Sequence, residues 1–97
     1  GKDEIRDLAR LRLASVLLDE KAYDEALKQL EAAHAAAFAA RFLELKGDVL
    51  AASGRKPEAR TAYKGALDKG GIREGRGGGA GRELLQQKLD NLGEAAL

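Results

Sequence analysis

The sequence predicts an all-α fold made of two copies of one helix-turn-helix unit followed by a further helix, and three observations carry that prediction. The first is composition: 44% of the 97 residues are hydrophobic and only 4% aromatic, with Ala and Leu supplying most of the apolar fraction. Ala and Leu are strong helix formers, whereas a sheet draws on β-branched and aromatic residues, and the chain holds two Val, two Ile and one Thr. The second is an internal repeat. Ala14 and Gly47, Val16 and Val49, Leu17 and Leu50, Glu25 and Glu58, Ala26 and Ala59, Leu30 and Tyr63, and Ala33 and Ala66 are each 33 residues apart. The third is punctuation: Gly54 and Pro57 separate two helical patterns, and seven of the thirteen residues from 70 to 82 are Gly.

The elements follow in chain order. Ile5, Leu8, Leu11 and Leu13 lead into Val16 and Leu17 at helical spacing and predict a first helix over about residues 3 to 20. A second helix is expected from about Asp24 to Ala36, with Asp24 and Glu25 at its positive end. Phe38, Phe42, Leu45, Val49 and Leu50 mark a third helix, which stops where Gly54 can take the left-handed C-cap conformation. Pro57 then opens a fourth, at a position where its missing N–H costs nothing. In the first copy, Lys21 and Asp24 stand where the second has Gly54 and Pro57. Two repeats are therefore expected over about 3–36 and 38–69, within residues 1–69, followed by a Gly-rich flexible linker at 70–82 and a C-terminal helix and tail at 83–97. On that last helix Leu85, Leu89 and Leu92 share one stripe with Leu84 beside it, the pattern of a helix capping the open end of an array.

A period near 34 residues, with small side chains where two helices touch, is the signature of tetratricopeptide units. Ala14 and Gly47 let the first helix of each pair lie against the second, and Ala26 and Ala59 do the same from the other side. In such arrays the inner face is lined by the first helix of each pair, which places Leu8, Leu11, Ser15 and Leu18 beside Arg41, Glu44, Asp48 and Ala52 as the candidate protein-binding groove. Chaperone-binding members of the superfamily hold a peptide carboxylate with Lys and Asn at these positions. Here Leu11, Ser15, Glu44 and Asp48 replace that clamp, so the expected ligand is apolar at one end and neutral or basic at the other. An alternative stands beside this one: the Leu side packs against another repeat.

Sites of other chemistry are not expected. Lys and Arg number 17 against 16 Asp and Glu, a net charge of +1 that makes no electrostatic case for nucleic acid or an acidic membrane surface. The first fifty residues carry 8 basic and 10 acidic groups, the remainder 9 and 6. With no Cys, neither a disulfide framework nor thiolate chemistry arises. No apolar run approaches the roughly 20 residues of a membrane span, and the amino end does not look like a signal peptide, so the chain as given is expected to be soluble. Gly75, Gly77 and Ala80 satisfy a relaxed GxGxxG/A pattern, but no strand precedes them, and a linker is the simpler reading. Arg73, Arg76 and Arg82 among the glycines resemble an RNA-binding segment without the aromatics that would stack on bases. His34 with Glu31 cannot fill a metal shell and reads as a surface helix histidine. Ser15 and Ser53 lack a base, and Glu44 with Asp48 reads as a solvated groove-facing pair. No catalytic residue, cofactor site or metal site is expected, and the chain is not expected to be an enzyme.

The stretch "LELKGDVLAASGRKPEARTAYKGAL", followed by "LLQQKLDNLG", resembles the C-terminal part of the YfgM-like family, ancillary subunits of the SecYEG protein translocon in proteobacteria, over about residues 7 to 93. The "KGDVL" segment and the closing "KLDNL" helix carry the resemblance; the Gly-rich stretch at 70–82 is longer than the family leads one to expect. The resemblance implies an excised portion of a single-span inner-membrane protein, on the periplasmic side, whose partners are the translocon, a periplasmic chaperone of the prolyl-isomerase type and newly translocated chains. This fragment itself would make no membrane contact. The alternative is a generic tetratricopeptide scaffold in the cytoplasm or in pilus or secretion assembly. Because such arrays usually need three or more repeats and this chain shows two, the apolar stripe of the first helix is expected to lie open. A Gly-rich coil of thirteen residues spans about 20 Å. The terminal helix could thus reach a second copy, making Leu84, Leu85, Leu89 and Leu92 candidate self-association residues.

Overall fold

A computed structural model describes residues 2–32, 34–73 and 78–92. Five α-helices follow one another: α1 Lys2–Asp19, α2 Tyr23–Glu31, α3 Ala39–Ala52, α4 Lys56–Arg73 and α5 Gly78–Leu92, with a 3-10 turn at Ala36–Phe38 before α3. No strand occurs among the described residues. Each helix packs on the next, and α1 also touches α3, so the chain forms two antiparallel helix pairs with α5 laid against α4.

The repeat extends to individual backbone hydrogen bonds. After α1, the N–H of Lys21 donates to the carbonyl of Leu18 (2.9 Å) and that of Ala22 to Leu17 (2.8 Å). Thirty-three residues on, Gly54 donates to Ala51 (3.1 Å) and Arg55 to Leu50 (2.8 Å). Both are Schellman caps, which need a left-handed residue. Gly54 supplies it at φ +87°, and Lys21 supplies it at φ +64° despite its Cβ. The sharper punctuation of the second copy is therefore a difference in side chain over the same turn.

The core is thin, as the composition predicts. One cluster gathers Ala14, Ala26, Leu30, Phe42 and Val49, and the other Leu50, Ala59, Ala62, Tyr63, Ala66, Leu85 and Leu92, with Leu27 packed against both. At the second helix crossing the glycine is required: a Cβ on Gly47 would stand 2.5 Å from Cε1 of Tyr63 and 2.6 Å from Cδ1, well inside any tolerable contact. The first repeat has Ala14 and Leu30 at these positions, a larger residue on one helix and a smaller one on the other.

Three expectations need correcting. The second helix ends at Glu31 rather than near Ala36, although Ala is the best helix former. Tertiary contacts outweigh that propensity: the N–H of Ala35 donates to the Asp7 carboxylate (2.9 Å), and the His34 ring stacks on Phe42 with centroids 4.1 Å apart. His34 accordingly lies exposed in an extended segment, not on a helix. In α1 the apolar stripe lies open, as expected of it: Ile5, Leu13 and Val16 face away from the core, with Ile5 70% and Val16 50% exposed, while Asp7 and Ala14 are its buried residues. Finally, the linker expected over 70–82 is helical at 70–73, where α4 propagates past Lys69, and at 78–82, where α5 begins early. Residues 74–77, with Gly75, Gly77 and Arg76, fall outside the described residues.

The caps yield a prediction of sign. Nothing lies within 4 Å of a Cβ built on Gly54, so Gly54→Ala meets no clash and loses only the conformational term, about 1 kcal/mol. Lys21→Gly relieves the same strain and should be neutral to stabilising. Urea denaturation measures both, and a stabilised Gly54→Ala protein would show that the cap geometry is wrong.

Candidate protein-binding site

The predicted groove residues divide by helix. On α1, Leu8 and Ser15 are exposed, while Leu11 and Leu18 pack against the first core cluster. On α3, Arg41 is exposed with its guanidinium 5.5 Å from the Phe38 ring centroid, and Ala52 is exposed at the end of the helix. Glu44 and Asp48 behave differently. Neither is a freely solvated carboxylate: Lys88 of α5 donates to Glu44 Oε2 at 2.8 Å and approaches Asp48 at 3.1 Å (Oδ1) and 3.2 Å (Oδ2). Tyr63 of α4 donates its hydroxyl to Asp48 Oδ1 at 2.6 Å, and the Lys88 ammonium lies 5.9 Å from the centre of the Tyr63 ring. Three helices thus meet at one part-buried cluster of two carboxylates, a phenol and an ammonium.

The electrostatics of the cluster follow from burial and sign. Burial and the neighbouring carboxylates, Asp48 first, push the Tyr63 phenol well above its ordinary value near 10, because the phenolate would be both desolvated and repelled. For Lys88, burial works against the ammonium, but hydrogen bonds to Glu44 and Asp48 more than offset it, and its pKa is raised. Both groups are thus held in their protonated forms.

Leu85 and Leu92 are buried and Leu89 part-buried against α4 and Leu50 of the same chain, whereas Leu84 is 50% exposed. Three of the four expected self-association residues therefore already cover their own monomer. The carboxylate end of the expected groove is thus met by Lys88 of α5, whose leucines pack on α4 and Leu50.

A second feature escaped the sequence reading. Beside the early end of α2, a cleft of about 510 Å³ opens between α2, α3 and α4. Its floor includes Leu27, Leu43 and Ala62, and its rim carries Glu31 and Lys46 beside the Arg55–Glu58 ion pair, joined at 2.7 and 2.9 Å. That pairing lowers the Glu58 pKa and raises that of Arg55. Asp7 was missed as well, though its spacing from Ala14 and Leu18 places it on the buried stripe of α1: it is 1% exposed, and its Oδ1 has no hydrogen-bond partner. Among the described residues no group of three or more His, Cys, Asp or Glu is placed to hold a metal, and no helix is long and apolar enough to cross a membrane.

Comparison with known proteins agrees with the repeat. Residues 1–94 match the family model described as tetratricopeptide repeat-like domain. The chain is 46% identical over 88 residues to a protein of Neisseria gonorrhoeae (strain ATCC 700825 / FA 1090) named ancillary SecYEG translocon subunit; the match covers 91% of this chain and 40% of that relative. No solved structure matches.

The cluster gives stability a defined pH dependence. Both folded-state pKa values lie above those of the unfolded chain, so the stabilisation is complete below about pH 10 and is lost as pH rises through the folded values. Melting temperature should fall from about pH 10 upward, and Tyr63→Phe should flatten that fall. Identical alkaline profiles for the two proteins would refute a role for the phenol.

Proposed function

The chain belongs to the family of tetratricopeptide repeat-like domains, and on that premise we propose that it is a non-enzymatic protein-interaction module. In this reading it is the repeat domain of a protein that accompanies the Sec translocon on the periplasmic side of the inner membrane and meets chaperones or newly translocated chains. The observation that carries the interaction role is the cleft between α2, α3 and α4. An apolar floor under a rim of both charge signs suits a protruding apolar side chain whose neighbouring backbone stays polar, the usual anatomy of a protein contact. Placement at the translocon is supported by the 46% identity to a relative bearing that name.

Site-specific photo-crosslinking in cells tests both parts. A photoreactive residue at Lys46 or Thr61, on the cleft in the full-length protein, should capture translocon subunits, a periplasmic chaperone or a chain in transit. The same residue at exposed Lys28, which does not line the cleft, should capture far less. Adducts confined to cytoplasmic proteins would contradict the placement, and no protein adduct from either cleft position would contradict the interaction role.

A further inference from the structure

The last helix is held to the repeats by a small set of contacts and is poor at standing alone. Its first four residues include Gly78, Gly79 and Gly81, each costing about 1 kcal/mol against Ala inside a helix. An isolated helix of 15 residues is marginal in water in any case. Docking therefore supplies most of its order. Leu85, Leu89 and Leu92 pack on a surface of small and aromatic residues, Ala59, Ala62, Tyr63 and Ala66, and Lys88 sits on Glu44 and Asp48. Two carboxylates of α3 thus receive the one ammonium of α5, and Lys56 stands at the edge of the same surface beside Tyr63 and Leu92.

We propose that this surface is a helix-recognition site which α5 occupies in cis, and that its external ligand is an amphipathic helix of another polypeptide presenting a Lys or Arg among leucines at the α5 spacing. That spacing, read from Leu85, Lys88, Leu89 and Leu92, puts Leu three residues before the cation and one and four residues after it. The apolar residues fill the α4 side, and the cation meets Glu44 and Asp48. Arg suits the position because its planar fork can engage both carboxylates. This assigns a partner class to the interaction module proposed above and rests on that reading. Tethering gives α5 an effective concentration in the millimolar range, so a free ligand binds appreciably only when α5 is weakened or the ligand is better.

The test uses the full 97-residue chain and a fluorescent peptide copying residues 78–92, followed by anisotropy. Lys88→Glu in the chain sets its α5 against Glu44 and Asp48 and should raise peptide affinity about ten-fold or more over the wild-type chain. Arg in place of Lys in the peptide should bind at least as tightly, Glu in its place should abolish binding, and added salt should weaken it. Lys88→Ala in the chain, which removes the ammonium without repulsion, should give an intermediate gain and stands in if Lys88→Glu fails to fold. Equal affinity of wild-type and folded variant chains would overturn the proposal, as would equal binding of the Lys and Glu peptides. Dimers formed by the variant through exchange of its own α5, seen in sedimentation, would overturn it in favour of a second copy as the occupant. These outcomes are independent of crosslinking to the translocon, so the two readings can fail separately.

Discussion

A hydrogen atom in place of a side chain at residue 47 is the constraint on which the second half of the molecule depends. Because Gly47 has no Cβ, the Tyr63 ring approaches α3 to a distance that a methyl group would forbid. From that position the phenol reaches Asp48 at 2.6 Å and helps fix the carboxylate that, with Glu44, receives Lys88. The docking of α5 is thus connected to a helix crossing inside the repeat. The first repeat, with Ala14 and Leu30 at the same positions, makes its crossing without a polar group at that point.

The two ends of the array show what a covering helix does. Val16 and Val49 are equivalent by the 33-residue offset, yet Val16 is 50% exposed and Val49 fully buried. Val49 belongs to the cluster built from Ala26 and Leu30 of α2, and α1 has no such helix against its outer face among the described residues. At the opposite end α5 covers α4 and buries Leu85 and Leu92. A first helix of this repeat is apolar on two sides because it is sandwiched between two second helices, and that explains why its sequence shows more apolar positions than one neighbour can bury.

Much of this was legible in the sequence because repeats preserve their contacts. The Gly54 cap was read directly, and the 33-residue offset set Lys21 opposite it, although a Lys side chain gives no sign of the left-handed conformation that the structure shows there. What remained hidden depends on long-range partners. The sequence from 32 to 36 is Ala-rich and asks for helix, but Ala35 donates to the Asp7 carboxylate and His34 stacks on Phe42, both distant in sequence. Glu44 and Asp48 were recognised as a pair on one face, but their partner lies forty residues or more along the chain, beyond a Gly-rich stretch that periodicity cannot bridge.

The Gly47–Tyr63 contact governs the docking of α5. Amide hydrogen exchange of Gly47→Ala, a change in α3 alone, tests it most directly. Displacing the ring by an overpacking methyl typically costs about 1 to 3 kcal/mol. The amides of Leu85, Leu89 and Leu92 should therefore exchange about ten-fold or more faster than in the wild-type chain. Unchanged protection in α5 beside lowered protection in α3 and α4 would contradict the account and show that α5 docks without the contact beneath it.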